Sequence, residues 1–404
     1  QGWKCGPDYI DPMFHSHITG RPAYHADPFF LSEQPMAELV SRVSADADCA
    51  VFEGAMGFYD GIGQTDQASA YTVSQRLKIP VLLVVNPKGM SCSAAALCHG
   101  FQTFRTPNSI CGILLNDIRS GMYNYYRELL ERETGLPVLG YLPHLPEVQL
   151  ESRHLGLMTA GEVEQLDEKI HLLGETAAET LKLSRILELA KTAPPLPDVP
   201  PYTTKPKLFR LGVAQDKAFC FTYAENLELL EQCGAELVYF SPLTGAKLPE
   251  NLDGLYFCGG YPELYLPRLS GNTAFLESLR RLAGTGIPIL GECGGFLYLQ
   301  RSMTGKDGKS YPLVGLLPGT SCLGERLCRF GYVTLTAQQD TLLGKAGTKI
   351  RAHEFHYADS TDNGSAFLAQ RPNGRTWQAV QTKAQIIAGF PHLYFPSNPE
   401  VPQH

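Results

Sequence analysis

Short apolar runs alternate with more polar stretches along the first half of the chain. The runs cover residues 49–52, 81–85, 112–115 and 138–141, and a polar or glycine-containing loop follows each of them. Near-continuous apolar strands separated by helices are typical of a parallel sheet that helices cover on both faces. Ligands bind such sheets at the carboxyl ends of the strands, so the loops after these runs are the first candidates for a site.

A proline-dense stretch separates this region from the rest of the chain. Residues 192–206 are rich in proline and lack apolar periodicity, which predicts a stiff, extended linker. The preceding residues 166–191 are rich in helix formers and are predicted to close the first domain. We therefore predict one domain over residues 1–191 and another over residues 207–404.

The alternation of strands and helices restarts after the linker. Helices are predicted near residues 223–233 and 273–283. The predicted strands of the second domain cover residues 211–214, 236–240, 255–258, 287–290, 331–335, 354–357, 376–380 and 386–390. The fold class that follows is α/β, with two doubly wound domains.

Composition and charge exclude several classes of protein. The 404 residues include 34 Lys and Arg against 41 Asp and Glu, a net charge of −7, which argues against nucleic acid as the main partner. No apolar stretch is long enough for a membrane span, so a membrane partner is not expected. The 11 cysteines are odd in number and form no C-x-x-C pair, which favours buried thiols in a reducing, cytoplasmic compartment.

One cysteine stands in a strand-to-helix turn. The segment Gly291-Glu-Cys293-Gly-Gly295 follows a buried strand and precedes an apolar helical segment. Glycines around a nucleophile permit the sharp turn that presents its side chain at a helix N-terminus. The helix terminus is expected to lower the pKa of the thiol, so we predict that Cys293 is a nucleophile. The alternative is a buried structural cysteine.

A thiolate nucleophile requires a general base, and a late histidine is the candidate. His392 follows the last predicted strand, whose carboxyl end would lie at the same sheet edge as Cys293. Gly259 and Gly260 follow another strand, and their backbone N–H groups are candidates for an oxyanion hole. A lone histidine is more often structural, but the three elements together favour a catalytic role for His392.

These motifs resemble those of triad-type (class I) glutamine amidotransferase domains. The segment from Gly259 to Glu263 and the segment from Arg351 to Tyr357 are similar to the cobyrinic acid a,c-diamide synthase group in particular. Ordinary triad amidotransferases carry an acidic residue two positions after the histidine, where this chain has Tyr394. The cobyrinic and cobyric acid synthase branch also lacks that acid, so the resemblance implies that another group orients the histidine.

Two acidic segments of the first domain resemble the synthetase domain of the same family, a P-loop NTPase fold like that of dethiobiotin synthetase. The first runs over residues 4–12 and the second over residues 52–61. The resemblance implies a site for ATP, Mg²⁺ and the carboxylate substrate, because phosphoryl transfer needs charge neutralisation. Its predicted members are Lys4, Asp8, Tyr9, Asp11, Glu53 and Asp60.

The expected roles within this set differ. Glu53, at a strand end, is the first candidate for a Mg²⁺ ligand, and Asp11 is the second. Asp8 and Asp11 could also position the substrate, Asp60 could face the substrate or order its loop, and Lys4 could face the phosphates. Each acid taken alone could be a solvated or capping carboxylate.

The phosphate-binding signature G-x-x-x-x-G-K-[ST] does not occur in the sequence. The family carries this loop just before the segment that begins at Lys4. We therefore expect a chain that was cut after that loop, with poor ATP binding but an intact glutaminase half. The alternative is a protein that naturally lacks the loop.

The resemblance implies ATP- and glutamine-dependent amidation of the a and c carboxylates of cobyrinate in cobalamin biosynthesis, through a carboxyl phosphate. Glutamine, ATP and a tetrapyrrole are the implied partners, together with a possible homodimer. The nearest alternatives are nickel-sirohydrochlorin a,c-diamide synthase and cobyric acid synthase, and residues 6–11 favour the a,c-diamide group over the latter. An alternative of another class is a loop-less tetrapyrrole-binding pseudoenzyme.

Two groups of histidines carry weaker predictions. His353 and His356 lie on one predicted strand but face opposite ways, which favours a wall of the cleft over a metal site. His15, His17 and His25 are predicted to be loop residues near the first acidic segment.

Overall fold

The computed structural model describes residues 1–150, 152–153, 156–203 and 205–404, and two structural units account for them. One unit contains Gln1–Pro28 and Ser32–Pro200, and the other contains Phe29–Leu31 and Pro201–His404. Within the predicted linker over 192–206, the part up to Pro200 groups with the first unit, and residue 204 lies outside the described residues.

The first unit is built on two three-stranded parallel sheets. One has the strand order Tyr24–His25, Gly2–Lys4, Val51–Glu53, and the other has the order Val81–Val85, Ile110–Ile118, Val138–Pro143. The pair Ser152–Arg153 and Gly156–Leu157 is antiparallel. The helices are Ile10–Thr19, Glu33–Val43, Ala70–Leu77, Cys92–Thr103, Tyr123–Thr134, Leu166–Thr180 and Leu183–Ala190.

The structure of this unit differs from the prediction at several element bounds. The strand predicted to end at residue 115 continues to Ile118, and residues 166–191, predicted only as rich in helix formers, contain two helices. Val51 and Val84 are exposed, although strands buried on both faces were predicted, because Val51–Glu53 and Val81–Val85 are edge strands of separate sheets.

The second unit is built on a six-stranded sheet that carries the candidate nucleophile. Five neighbouring strands are parallel and the last is antiparallel. Their order is Ala235–Phe240, Phe209–Ala214, Gly254–Phe257, Ile289–Glu292, Ile386–Gly389 and Gln381–Lys383. The helices are Ala224–Gln232, Leu266–Gly271, Thr273–Ala283 and Gly294–Leu299. The helix Thr273–Ala283 lies where a helix was predicted, and it buries Phe275, Leu276 and Leu279 on one face.

Two smaller sheets complete the second unit. The first is antiparallel, with the order Thr376–Ala379, Phe367–Gln370, Arg329–Ala337, Lys349–His356, His392–Leu393. The other has the order Ser310–Pro312, Ser302–Thr304, Thr320–Leu323, Ala358–Ser360.

The prediction of two α/β domains is confirmed. Within the part of the chain that the structure describes, every helix is too short or too polar to cross a membrane.

Candidate active site

Cys293 occupies a strained turn between the strand Ile289–Glu292 and the helix Gly294–Leu299. Its φ of 45° and ψ of −101° lie in a region that costs a non-glycine residue about 1–3 kcal/mol. Backbone hydrogen bonds hold it there, because its N–H donates to the carbonyl of Gly389 at 2.8 Å and its carbonyl accepts from Leu297 at 3.0 Å. The turn therefore has the strand-to-helix geometry predicted from the glycine-flanked motif.

His392 lies at the same sheet edge because two neighbouring strands end side by side. Glu292 pairs in parallel register with Gly389, so the chain reaches Cys293 on one strand and His392 shortly after the other. The imidazole of His392 rests against the Gly259 turn, where a Cβ on that glycine would lie 2.2 Å from the Cε1 atom of His392. A side chain at position 259 would therefore displace the imidazole.

The Gly259–Gly260 turn lies between the cysteine turn and the histidine. Gly260 has a φ of +153°, and a Cβ there would lie 2.1 Å from the carbonyl oxygen of Ala218. On the other side, a Cβ on Gly294 would lie 3.1 Å from the nitrogen of Gly260. The structure thus brings Cys293, His392 and both glycines into one site, although their chemical roles stay predictions.

The protonation state of the thiol differs from the prediction. Burial raises the pKa of Cys293 far above its usual range, and the nearby carboxyl of Glu263 raises it further, whereas a hydrogen bond from the backbone of Gly294 only partly opposes them. The helix terminus thus lowers the pKa as predicted, but burial outweighs this effect, and the expected thiolate near neutral pH does not form in this structure. Burial also lowers the pKa of His392 to about 3, with a smaller contribution from His353, so the imidazole is a neutral base above that pH.

Two further buried histidines surround the His392 strand. His353 pairs with His392 across antiparallel strands, and the ring of His356 stacks on Phe390 with centroids 3.7 Å apart. The Nδ1–H of His356 donates to the carbonyl of Ala358 at 2.7 Å. No group of three or more His, Cys, Asp or Glu side chains suited to a metal ion occurs among the described residues.

The buried imidazole of His356 should make stability depend on pH. Burial lowers its pKa from 6.5 to about 4. Between these two pH values the imidazole binds a proton in the unfolded chain but stays neutral in the folded chain. Between pH 7 and pH 4 we expect the wild type to lose about 3 kcal/mol of unfolding free energy relative to His356→Phe, which keeps the stack on Phe390 without titrating. Urea unfolding of both proteins across this range measures the difference. Parallel pH dependences would contradict the assignment.

The sequence pattern does not predict the carboxyl groups around Cys293. Glu263, Glu292 and Glu354 are close enough to raise the pKa of the thiol, and burial raises their own pKa values to about 7, 8 and 7 respectively. The one available signal is the position of Glu292 directly before the cysteine, at the end of a buried strand, where a charged residue is unusual.

The acidic residues of the first unit converge on a buried lysine. Lys4 and Glu53 are register partners at the carboxyl ends of neighbouring parallel strands, and their charged atoms are 3.4 Å apart. The Lys4 Nζ atom also donates a hydrogen bond to Asp11 and lies 3.9 Å from a carboxylate oxygen of Asp8. The structure therefore gathers three of the predicted acidic residues around the ammonium group of a fourth predicted residue, Lys4.

The other predicted residues lie near this cluster in sequence but have different surroundings. Tyr9 is the N-cap residue of the helix Ile10–Thr19, and Asp60 accepts a hydrogen bond from the backbone N–H of Gly57 at 2.9 Å. Asp60 thus orders its own loop, which was one of its two predicted roles.

The histidines near the first acidic segment are not loop residues as predicted. His15 and His17 lie in the helix Ile10–Thr19 and His25 lies in a short strand, because the segment after Tyr9 turns directly into a helix. The Nε2 atom of His15 lies 2.6 Å from a carboxylate oxygen of Glu53. His15 was predicted to lie near this segment, but its contact with Glu53 was not predicted from the sequence.

The charges of the cluster fit phosphate and cation chemistry. Burial alone would lower the pKa of Lys4, but the hydrogen bond to Asp11 and the charges of Glu53 and Asp8 outweigh it and raise the pKa. Burial and the charge of Asp11 raise the pKa of Asp8. Carboxylate oxygens are suitable Mg²⁺ ligands, and nucleotide-bound Mg²⁺ usually takes one or two of them, so Glu53 and Asp11 fit such an ion.

Comparison with known protein families matches both halves of the chain. Residues 210–400 match the CobB/CobQ-like glutamine amidotransferase domain. Residues 30–152 match an AAA domain. The first match covers the elements that carry the Cys293 turn, the Gly259–Gly260 turn and His392.

Several curated proteins are similar over nearly the whole chain. The cobyrinate a,c-diamide synthase of Priestia megaterium is 38% identical over 98% of this chain and 88% of its own length. The enzyme of the same name from Listeria monocytogenes is 38% identical over 98% of this chain and 90% of its length, and that of Dehalococcoides mccartyi is 36% identical over 99% and 89%. The chain therefore belongs to the cobyrinate a,c-diamide synthase family of glutamine-dependent amidotransferase ligases.

Proposed function

We propose that the protein amidates the a and c carboxylates of cobyrinate, using ATP to activate each carboxylate and glutamine as the nitrogen donor. The observation that carries the proposal is the juxtaposition of the Cys293 turn, His392 and the Gly259–Gly260 turn at one sheet edge. Membership of the cobyrinate a,c-diamide synthase family supports the choice of substrate.

The glutaminase half-reaction begins with two neutral groups. The Cys293 thiol attacks the carboxamide carbon of glutamine, and its proton passes to the neutral imidazole of His392. The imidazolium then returns a proton to the leaving nitrogen, which departs as ammonia and leaves a glutamyl thioester on Cys293. Water hydrolyses the thioester to glutamate and restores the thiol. The backbone of Gly259 and Gly260 is the candidate for holding the oxyanion of each tetrahedral intermediate.

The synthetase half-reaction needs a better leaving group than oxide, which the γ-phosphoryl group of ATP supplies by forming a carboxyl phosphate. Ammonia displaces phosphate from that carbon and forms the amide. Lys4 neutralises negative charge at this site, and Asp11 and Glu53 are the proposed holders of Mg²⁺, which when bound would neutralise phosphate charge. Asp8 and Tyr9 are proposed to position the substrate.

The reaction is proposed to occur in the cytoplasm, where ATP and glutamine are available. All 11 cysteines are free thiols in the structure, which suits a reducing compartment. A homodimer stays a prediction that light scattering of the purified protein tests.

The number of amides added to a macrocycle distinguishes the proposed substrate from its alternatives. We expect the full-length protein, with Mg²⁺, ATP and glutamine, to add two amides to cobyrinate, as counted by mass spectrometry. A preference for nickel-sirohydrochlorin would assign the second candidate, and four additions would indicate cobyric acid synthesis. Macrocycle binding with no addition, even from ammonium salts, would favour the pseudoenzyme.

A further inference from the structure

Glu292 is a buried carboxyl group that links the cysteine turn to the histidine segment. It is 2% exposed and immediately precedes Cys293. One carboxyl oxygen accepts a hydrogen bond from the backbone N–H of Leu393 at 3.2 Å, and the other accepts from the hydroxyl of Tyr256 at 2.9 Å. The first of these partners is the residue that directly follows His392.

Asn226 holds the same segment through its side-chain amide. Its Nδ2 atom donates to the carbonyl of Leu393 at 2.7 Å, and its Oδ1 atom accepts from the backbone N–H of Phe395 at 2.8 Å. Asn226 is fully buried on the helix Ala224–Gln232. Two buried side chains from different elements therefore satisfy both backbone groups of Leu393.

We call Glu292 and Asn226, which both bind the backbone of Leu393, the clamp. Burying these polar side chains costs folding free energy that packing alone does not require, which points to a further role. Burying a carboxyl group without full compensation costs several kcal/mol, and an apolar residue at the end of a central strand avoids that cost. Here the carboxyl group spans from the residue before the nucleophile to the residue after the base. The hydrogen bond to Leu393 therefore fixes the distance between the two segments that must exchange a proton.

We propose that Glu292 is a positioning residue for His392, acting through the backbone of Leu393 instead of through the imidazole. In this chain the residue two positions after the histidine is Tyr394, which has no carboxyl group. Glu292, at the end of the strand that leads to Cys293, orients the histidine segment instead. The inference rests on the proposed hydrolysis of glutamine at Cys293.

The electrostatics of Glu292 indicate that hydrogen bonding, not charge, performs this task. Burial raises its pKa to about 8, against the opposing hydrogen bonds from Tyr256 and Leu393. A carboxyl group that is largely uncharged at pH 7 can be replaced by a neutral amide of the same shape. Glu292→Gln keeps an oxygen acceptor for Leu393 and a polar partner for Tyr256, whereas Glu292→Ala removes both.

Steady-state release of glutamate from glutamine tests the proposal. We expect Glu292→Ala to lower kcat by about 100-fold with KM changed less than about threefold, because small displacements of a reacting group cost this much. Glu292→Gln should restore kcat to within about threefold of the wild type. Asn226→Ala, which releases the other side of the clamp, should lower kcat by about 10-fold and gives a second test if Glu292→Ala does not fold.

A matched control separates positioning from general stability. Asn272 also donates two backbone hydrogen bonds, to the carbonyls of Pro242 and Gly245 at 2.9 Å each, but neither belongs to the Cys293 or His392 segments. Asn272→Ala should resemble Asn226→Ala in its effect on the thermal midpoint but should keep kcat. Equal losses of kcat in the two asparagine variants would overturn the proposal.

The alkylation rate of Cys293, followed by peptide mass spectrometry with iodoacetamide, supplies an independent readout. We expect it to fall in Glu292→Ala and to recover in Glu292→Gln. An active Glu292→Ala, or a Gln variant as inactive as the Ala variant, would overturn the inference while leaving the proposed function intact. Failure of the function itself has a different signature, which is equal glutamate release by the wild type and Cys293→Ala.

Discussion

Replacing Cys293 with Ala should lower the release of glutamate from glutamine by at least about 10³-fold. The sulfur forms the thioester in the proposed mechanism, so its removal eliminates that intermediate. Cys293→Ser should lose nearly as much, because a buried hydroxyl beside a neutral imidazole is a weaker nucleophile than a thiol. A coupled glutamate assay on the purified proteins measures both losses.

The two half-reactions should separate in this variant. Amidation of the macrocycle with ammonium salts should proceed at the wild-type rate in full-length Cys293→Ala, because the synthetase residues lie in the other unit. Cys322, an exposed free thiol of the second unit, offers a matched control, and Cys322→Ser should keep full activity. Glutamate release by Cys293→Ala at the wild-type rate would contradict the assignment of the nucleophile.

Replacing His392 with Ala should lower kcat for glutamate release by about 10²–10⁴-fold, the usual contribution of a general base. Burial opposes ionisation of the Cys293 thiol, so attack by the sulfur depends on a base that accepts its proton. Because the pKa of His392 is lowered to about 3, the imidazole stays deprotonated at pH 5, so wild-type activity should not show a loss at that pH from protonation of His392. A pH series of kcat and KM for both proteins measures this.

A surface histidine provides the control for this substitution. His171 lies in a helix of the first unit and pairs with Glu175 at 3.2 Å, and His171→Ala should leave glutamate release unchanged. If His392→Ala retains more than about a tenth of the wild-type kcat, a different group must accept the thiol proton.

The arrangement of the candidate catalytic residues in the second unit was predictable because local patterns determine it. Apolar runs bounded by glycine predict the parallel strands, and parallel strands must end at one edge. The motif around Cys293 and the late position of His392 therefore sufficed to place both residues at that edge. The structure extends the cysteine strand to Glu292, two residues beyond the predicted end, without moving the turn.

The protonation of the site was not predictable from the same patterns. A helix N-terminus lowers a thiol pKa locally, but the burial of Cys293 and the approach of Glu263 depend on segments that are distant in sequence. The hydrogen bond from Asn226 to Leu393 also joins distant segments, since the two residues lie 167 positions apart. Sequence spacing carries no information about such contacts.

In the first unit, too, some features of the site followed from local motifs and others did not. The resemblance of the two acidic segments implied one site that contains Lys4 and Glu53, and the structure brings them together because each ends one of two neighbouring parallel strands. The short strand Tyr24–His25 and the contact of His15 with Glu53 were not predicted, since two-residue strands and helix faces near a turn give weak patterns.

Covalent trapping with the glutamine analogue 6-diazo-5-oxo-L-norleucine tests whether Cys293 is the nucleophile that attacks glutamine. Intact-mass measurement followed by peptide mapping should find one adduct per chain, on Cys293, and none on Cys293→Ala. Glutamine should protect the wild type from this modification. Labelling of a different cysteine, or an unmodified Cys293 in a protein that still hydrolyses glutamine, would contradict the account.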